Sequence, residues 1–112
     1  MLTDEYRYKI LKELQQDPDI SQRELAKRLS ISLGKTNFCL KALIEKGLVK
    51  AGNFKMTPDK AKYLYLLTPK GIEERVSLTH RFLLRKMQEH EELTEEIERL
   101  RKETILMAQE RH

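Results

Sequence analysis

After Thr68-Pro69 the chain runs to its last residue without another proline and with only Gly71 to interrupt it. Threonine as a cap and proline in the first turn open a helix. At 1.5 Å per residue that helix would extend roughly 60 Å. Along it Ile72, Val76, Thr79, Leu83, Lys86, His90, Leu93, Ile97, Leu100, Thr104 and Met107 alternate in steps of four and three, which is a heptad seam with a weak middle. Lys86 and His90 mark either a bend or a register-setting polar layer. A helix longer than a small domain is wide cannot bury such a seam on its own module. The second copy of the seam is therefore expected from another chain, with Val76, Leu83, His90, Leu93, Ile97, Leu100 and Met107 at a homodimer interface. Leu78 and Phe82 fall off the seam and are expected to pack back on the rest of the chain.

What precedes this helix is short. The whole chain has 112 residues, room for one modest core and too little for separate cofactor and substrate domains. Charge is unevenly spread. From Ile20 to Lys62 ten bases face three acids, a local net of +7, whereas Pro69 to His112 comes to −1. The positive field thus sits in the first part, where it suits a polyanion, and the second reads as a salt-bridged helix.

Three helices are expected before the hairpin. Tyr6, Ile10, Leu11 and Leu14 share a face over residues 4–16, and Asp17-Pro18 ends it because a residue before proline is pushed out of the α region. Ser21-Gln-Arg-Glu24 is a capping box, followed by Leu25, Ala26 and Leu29 on an inner face. Ser32 caps a third helix with Thr36, Leu40, Leu43 and Ile44 inward, stopped at Gly47. Leu48 to Lys50 and Tyr63 to Leu67 then read as two strands of a hairpin around residues 53–62. The fold class is mainly α with a small β-hairpin: a winged helix-turn-helix over 1–68, then a long coiled-coil helix over 69–112.

The run Leu25-Ala26-Lys27-Arg28-Leu29, a polar turn, and Leu40-Lys41-Ala42-Leu43-Ile44-Glu45-Lys46-Gly47-Leu48-Val49 resembles the core of bacterial regulators of the MarR type. Asp59-Lys60-Ala61-Lys62 and Leu67-Thr68-Pro69-Lys70-Gly71 resemble that family's wing and the start of its next helix. The likeness covers about residues 5–72. Short members with a long helical tail, those linked to exopolysaccharide gene clusters, are the narrower match. The resemblance implies a transcription regulator binding double-stranded DNA. Two departures limit it. Where the family's wing carries an arginine that enters the minor groove, this chain has Ala61, flanked by Lys60 and Lys62. The amino-terminal arm is also too short for the family's ligand-enclosing dimer helices, so a phenolic effector is not carried over.

A helix fits the major groove and presents its amino-terminal half to base edges. With Leu40 and Leu43 inward, Ser32, Gly34, Lys35, Asn37, Phe38 and Lys41 face outward. Asn37 suits adenine and Lys35 suits guanine, while Phe38 either touches a thymine methyl or packs against the wing. Gln22 and Arg23, with Lys55, Lys60 and Lys62 on the wing, are expected to hold phosphates.

Catalytic and metal chemistry find no footing in the sequence. Gly34-Lys35-Thr36 mimics the end of a phosphate-binding loop, but the required glycine five residues earlier is Leu29. His90-Glu91-Glu92-Leu93-Thr94 opens like a zinc-protease helix and lacks the second histidine. Cys39 is the sole cysteine, read as a half-buried apolar residue with no resolving partner. No cofactor or metal is expected, no apolar run could cross a membrane, and the acidic amino terminus is unlike a signal peptide. A cytoplasmic DNA-binding homodimer is the reading, and a protein-docking or architectural nucleic-acid module is the alternative. His112 fits a native terminus or a tag remnant equally.

Overall fold

The computed structural model describes residues 2–56 and 61–111, with the side chains of 53–56 and 61–63 outside the description. In chain order it has α1 (Asp4–Gln16), α2 (Gln22–Leu29), α3 (Leu33–Glu45), β1 (Val49–Met56), β2 (Ala61–Leu67) and α4 (Pro69–Glu110). The chain divides into two compact units, Met1–Thr79 and His80–His112.

In the first unit each helix begins where a side chain supplies the acceptor that the first amides lack. Thr3 accepts from the Tyr6 amide, Ser21 from Glu24 and Ser32 from Lys35. The second half of the expected capping box is replaced. The Glu24 carboxylate lies 3.5 Å from Arg28 Nε one turn along. Ser30 takes the left-handed conformation at φ 56° to close α2, and Gly47 does so at 73° to release the chain from α3.

The core gathers Ile10, Leu11 and Leu14 of α1, Leu25 of α2, Cys39, Leu40 and Leu43 of α3, then Leu48, Val49, Tyr65 and Leu78. Two expectations for α3 need correction. Ile44 is 38% exposed, because the inner stripe runs Thr36, Cys39, Leu40, Leu43 and leaves Ile44 on the flank beside Lys41. Cys39 is fully buried rather than half-buried.

The hairpin is antiparallel, with Val49 opposite Leu67 and Met56 opposite Ala61, and an irregularity between Gly52 and Lys55. Both strands extend past the limits expected from their apolar residues, since cross-strand pairing holds residues that lack a strand pattern of their own. The Tyr65 amide also donates to the Pro18 carbonyl at 3.0 Å, tying β2 to the α1–α2 connection.

The start of α4 is locked onto the turn after α3. Thr68 Oγ1 donates to the Gly47 carbonyl at 2.5 Å and accepts from the Gly71 amide at 3.0 Å. The Thr68 amide donates to the Leu48 carbonyl. A Cβ on Gly71 would stand 2.0 Å from that carbonyl oxygen, so only glycine allows so close an approach. Leu78 is buried, as its off-seam position requires. Salt bridges fasten α1 to neighbouring elements, Arg7 to Glu74 of α4 and Glu13 to Arg28 of α2, while Arg7 also pairs with Asp4 within α1 and Arg28 with Asp17 just beyond it.

In the second unit α4 continues as helix, and every residue from Leu83 to Arg111 is exposed. No helix among the described residues is long and apolar enough to cross a membrane.

Candidate nucleic-acid interface

The helix pair α2–α3 is set by local chemistry. Leu25 and Ala26 bury one side of α2 against α3, and the polar turn between them is closed by the Ile31 amide donating to the Ala26 carbonyl at 3.0 Å. Thr36, fully buried and the one buried polar residue among those described, gives its hydroxyl proton to the Ser32 carbonyl at 2.9 Å. These contacts fix which way α3 turns.

Opposite its buried stripe, α3 shows solvent a row formed by Gly34, Phe38, Lys41 and Glu45, with Asn37 half-buried beside it. Residues three and four apart stack on one helical face, so this row is continuous. Phe38 is 58% exposed and Leu33, just inside the cap, is 43% exposed. A Cβ on Gly34 would meet nothing within 4 Å, which leaves the helix backbone open to close approach there.

The residues expected to touch DNA are placed in different ways. Arg23 and Lys41 are exposed, with no side-chain partner among the described residues. Ser32 is exposed, but its hydroxyl already accepts from the Lys35 amide as the cap of α3. Lys35 is half-buried, its ammonium 4.3 Å from the centre of the Tyr6 ring on α1. Gln22 bridges two elements: its Nε2 donates to Tyr65 Oη at 2.9 Å, and its Oε1 accepts from Asn37 Nδ2 at 3.1 Å. Lys55 and Lys62 face each other across the hairpin, but their side chains, and Lys60 altogether, lie outside the described residues.

The positive field is weaker than the base count implied. Arg28 meets Glu13 at 3.0 Å, Asp17 at 3.3 Å and Glu24 at 3.5 Å. The hydrogen bond to Glu13, with the surrounding carboxylates, raises its pKa above the ordinary guanidinium value. Its charge is offset at the surface by these carboxylates. Tyr65 and Tyr6 were missed from the sequence as partners of Gln22 and Lys35. For Tyr65 the available signal is its polar end, which usually finds a partner when buried, and for Tyr6 it is the ring face, which attracts a cation.

A cavity of about 320 Å³ opens between α3 and the hairpin, lined by Gln22, Asn37, Leu40, Lys41, Ile44, Ala51 and Tyr65. Among the described residues no three His, Cys, Asp or Glu side chains gather as metal ligands.

On α4 the seam residues stand uncovered, Val76 at 65%, Leu83 at 54%, Leu93 at 54%, Ile97 at 43%, Leu100 at 54% and Met107 at 65% exposed. His90 is exposed too. Lys86 pairs with Glu89 at 3.1 Å and lies 5.2 Å from the Phe82 ring centre, which places its charge beside the seam. Leu84, Met87, Ile105 and Leu106 add exposed apolar surface off the seam, which the heptad reading did not anticipate.

Residues 3–50 match the family model described as winged helix-turn-helix DNA-binding. No curated protein matches the chain in sequence. Among solved structures, the chain is similar to a mutant MarR from E. coli complexed with operator DNA, at 27% identity and TM-score 0.54, covering 66% of this chain and 51% of that one. A MarR/EmrR family transcriptional regulator from Acinetobacter sp. ADP1 matches at 22% identity and TM-score 0.62, over 73% of this chain and 56% of that one. A MepR mutant from S. aureus bound to an oligodeoxyribonucleotide matches at 21% identity and TM-score 0.57, over 76% and 59%. The chain spans little more than half the length of these structures. Its fold is a winged helix-turn-helix, and its structural neighbours include MarR-family transcription regulators, one of them complexed with operator DNA.

Proposed function

We propose that this chain is a MarR-type transcription regulator of the cytoplasm that binds a near-palindromic operator in double-stranded DNA as a homodimer. In this reading residues 1–68 bind the DNA and residues 69–112 pair the two copies. The observation that carries it is the solvent-facing row that begins with Gly34 and Phe38, with Asn37 beside it, on the amino-terminal half of α3 and continues to Lys41. That is the half a recognition helix inserts into the major groove. Asn37 and Lys41 then meet base edges, and Arg23 meets phosphate.

Lys35 must leave Tyr6 to reach a base. Both groups are half-buried, so leaving the ring costs about 0.5–2 kcal/mol, which contacts to the duplex would have to offset. The uncovered seam of Leu83, Leu93, Ile97, Leu100 and Met107 supports the dimer, since heptad residues are stable only when a facing helix covers them. Two such heads would require half-sites one or two helical turns apart. The narrower likeness to the exopolysaccharide-associated members belongs to this proposal, and no small-molecule effector is part of it.

One observation favours an architectural or docking role instead: Arg28 is consumed by carboxylates and Ala61 replaces the wing arginine, which leaves fewer groups to read sequence. Selection of bound sequences from a random duplex pool at about 150 mM salt separates the readings. Enrichment of an inverted repeat supports the regulator. A pool that stays random contradicts it.

A further inference from the structure

Asn37 is not a free side chain on α3. Its Nδ2 donates to Gln22 Oε1 at 3.1 Å, and Gln22 Nε2 donates to Tyr65 Oη at 2.9 Å, so three residues from α3, α2 and β2 form one chain of hydrogen bonds. The far end is firmly held. Tyr65 is 9% exposed, pairs with Ala51 across the hairpin, and donates its amide to the Pro18 carbonyl at 3.0 Å. A side-chain amide can turn either of two ways; the Tyr65 hydroxyl, able to donate or accept, anchors Gln22, and the orientation the chain adopts is set by Gln22 and Asn37 together. With Gln22 Oε1 facing α3, Asn37 must point its nitrogen towards Gln22.

This leaves a specific remainder on Asn37. One N–H is used by Gln22, and Oδ1 with the other N–H stays as an adjacent acceptor and donor. That pair complements the N6–H and N7 of adenine in the major groove. Gln22, expected from the sequence to hold a phosphate, instead has both amide atoms engaged inside the protein.

We infer that Tyr65 and Gln22 are positioning residues for sequence reading, which hold the Asn37 amide in the orientation that selects adenine. This rests on the proposed DNA-binding function. The hairpin thereby contributes to specificity from its base, through protein contacts, at a place where no side chain of the wing need touch DNA.

The test is duplex-pool selection with the full chain, four single variants and two doubles that carry Asn37→Ala, each checked for an unchanged melting transition. The wild type should enrich adenine at one position of each half-site. Asn37→Ala should lose that preference. Tyr65→Phe keeps the ring and removes only the hydroxyl; it should weaken the same preference about three- to tenfold while random-duplex binding stays constant, and should add nothing in the Asn37→Ala background. Gln22→Met, similar in size without hydrogen bonds, should behave as Tyr65→Phe and serves if that variant folds poorly. Gln22→Glu still accepts from Asn37, so it should lower affinity for all sequences while keeping the adenine preference.

The inference is overturned if Tyr65→Phe and Gln22→Met leave the preference intact, if they weaken specific and random binding alike, or if their effects add to those of Asn37→Ala. A wild type that enriches no sequence would sink the DNA-reading function itself, a failure visible before any variant is compared.

Discussion

Leu78 and Leu83 lie five residues apart on α4, yet Leu78 is 2% exposed and Leu83 is 54% exposed. Leu78 belongs to the unit of residues 1–79, where α1, α2, α3 and the hairpin supply neighbours. Leu83 belongs to residues 80–112, where the chain offers only its own helix. The same side chain is core in one unit and uncovered surface in the other. Burial follows from what the chain brings alongside a residue, so the first unit carries its own stabilising partners and the second presents an uncovered apolar surface, which the proposed dimer would cover.

The contrast can be broken most sharply at the leucines themselves. Leu43→Ala, at a fully buried position, should destabilise the first unit by about 2–5 kcal/mol at any protein concentration. Leu100→Ala on the seam should leave the same unfolding transition unmoved and instead weaken self-association about tenfold, taking roughly 1.4 kcal/mol from the dimer. Urea unfolding across a hundredfold range of concentration reads both. A concentration-independent loss at Leu100 would erase the distinction.

Glycines give the next largest effect. Gly71→Ala forces a methyl group into the Leu48 carbonyl and should cost about 1–3 kcal/mol through displacement of the α4 start. Gly34→Ala meets open space and should gain up to about 1 kcal/mol from helix propensity while weakening duplex binding. Thermal unfolding and binding by the same two variants would show opposite orders.

The smallest effect belongs to Arg28. Because the pKa of this base is raised in the fold, its contribution is complete below the ordinary guanidinium value and is lost only as pH climbs beyond it. Arg28→Met should therefore lower stability slightly and equally at neutral and mildly alkaline pH, with a difference that shrinks as salt is added. A loss that grew between those pH values would mean another group carries the contact.

Much of the first unit was legible because its signals are local. Thr68, Ser21 and Ser32 declare helix starts, Gly47 declares a stop, and Leu78 stands out by falling off the heptad. What escaped depends on residues distant in sequence. Ile44 looks inward by composition and is turned out because Cys39 and Leu43 already fill that side of α3. Gly71 reads as a flaw in a long helix until the Leu48 carbonyl is seen against it. Residues 51–56 carry little strand pattern and pair because 61–65 lie opposite. At the interface, Asn37 was visible as an outward polar residue, whereas its link to Tyr65 through Gln22 joins residues no helical or strand period connects.

The central claim is that two copies joined along α4 read one duplex through α3. Native mass measurement of the complex on the duplex most enriched from the pool tests it directly. Two chains per duplex, falling to weaker and single occupancy with Leu100→Ala, is the predicted result; one wild-type chain per duplex at saturation would contradict it.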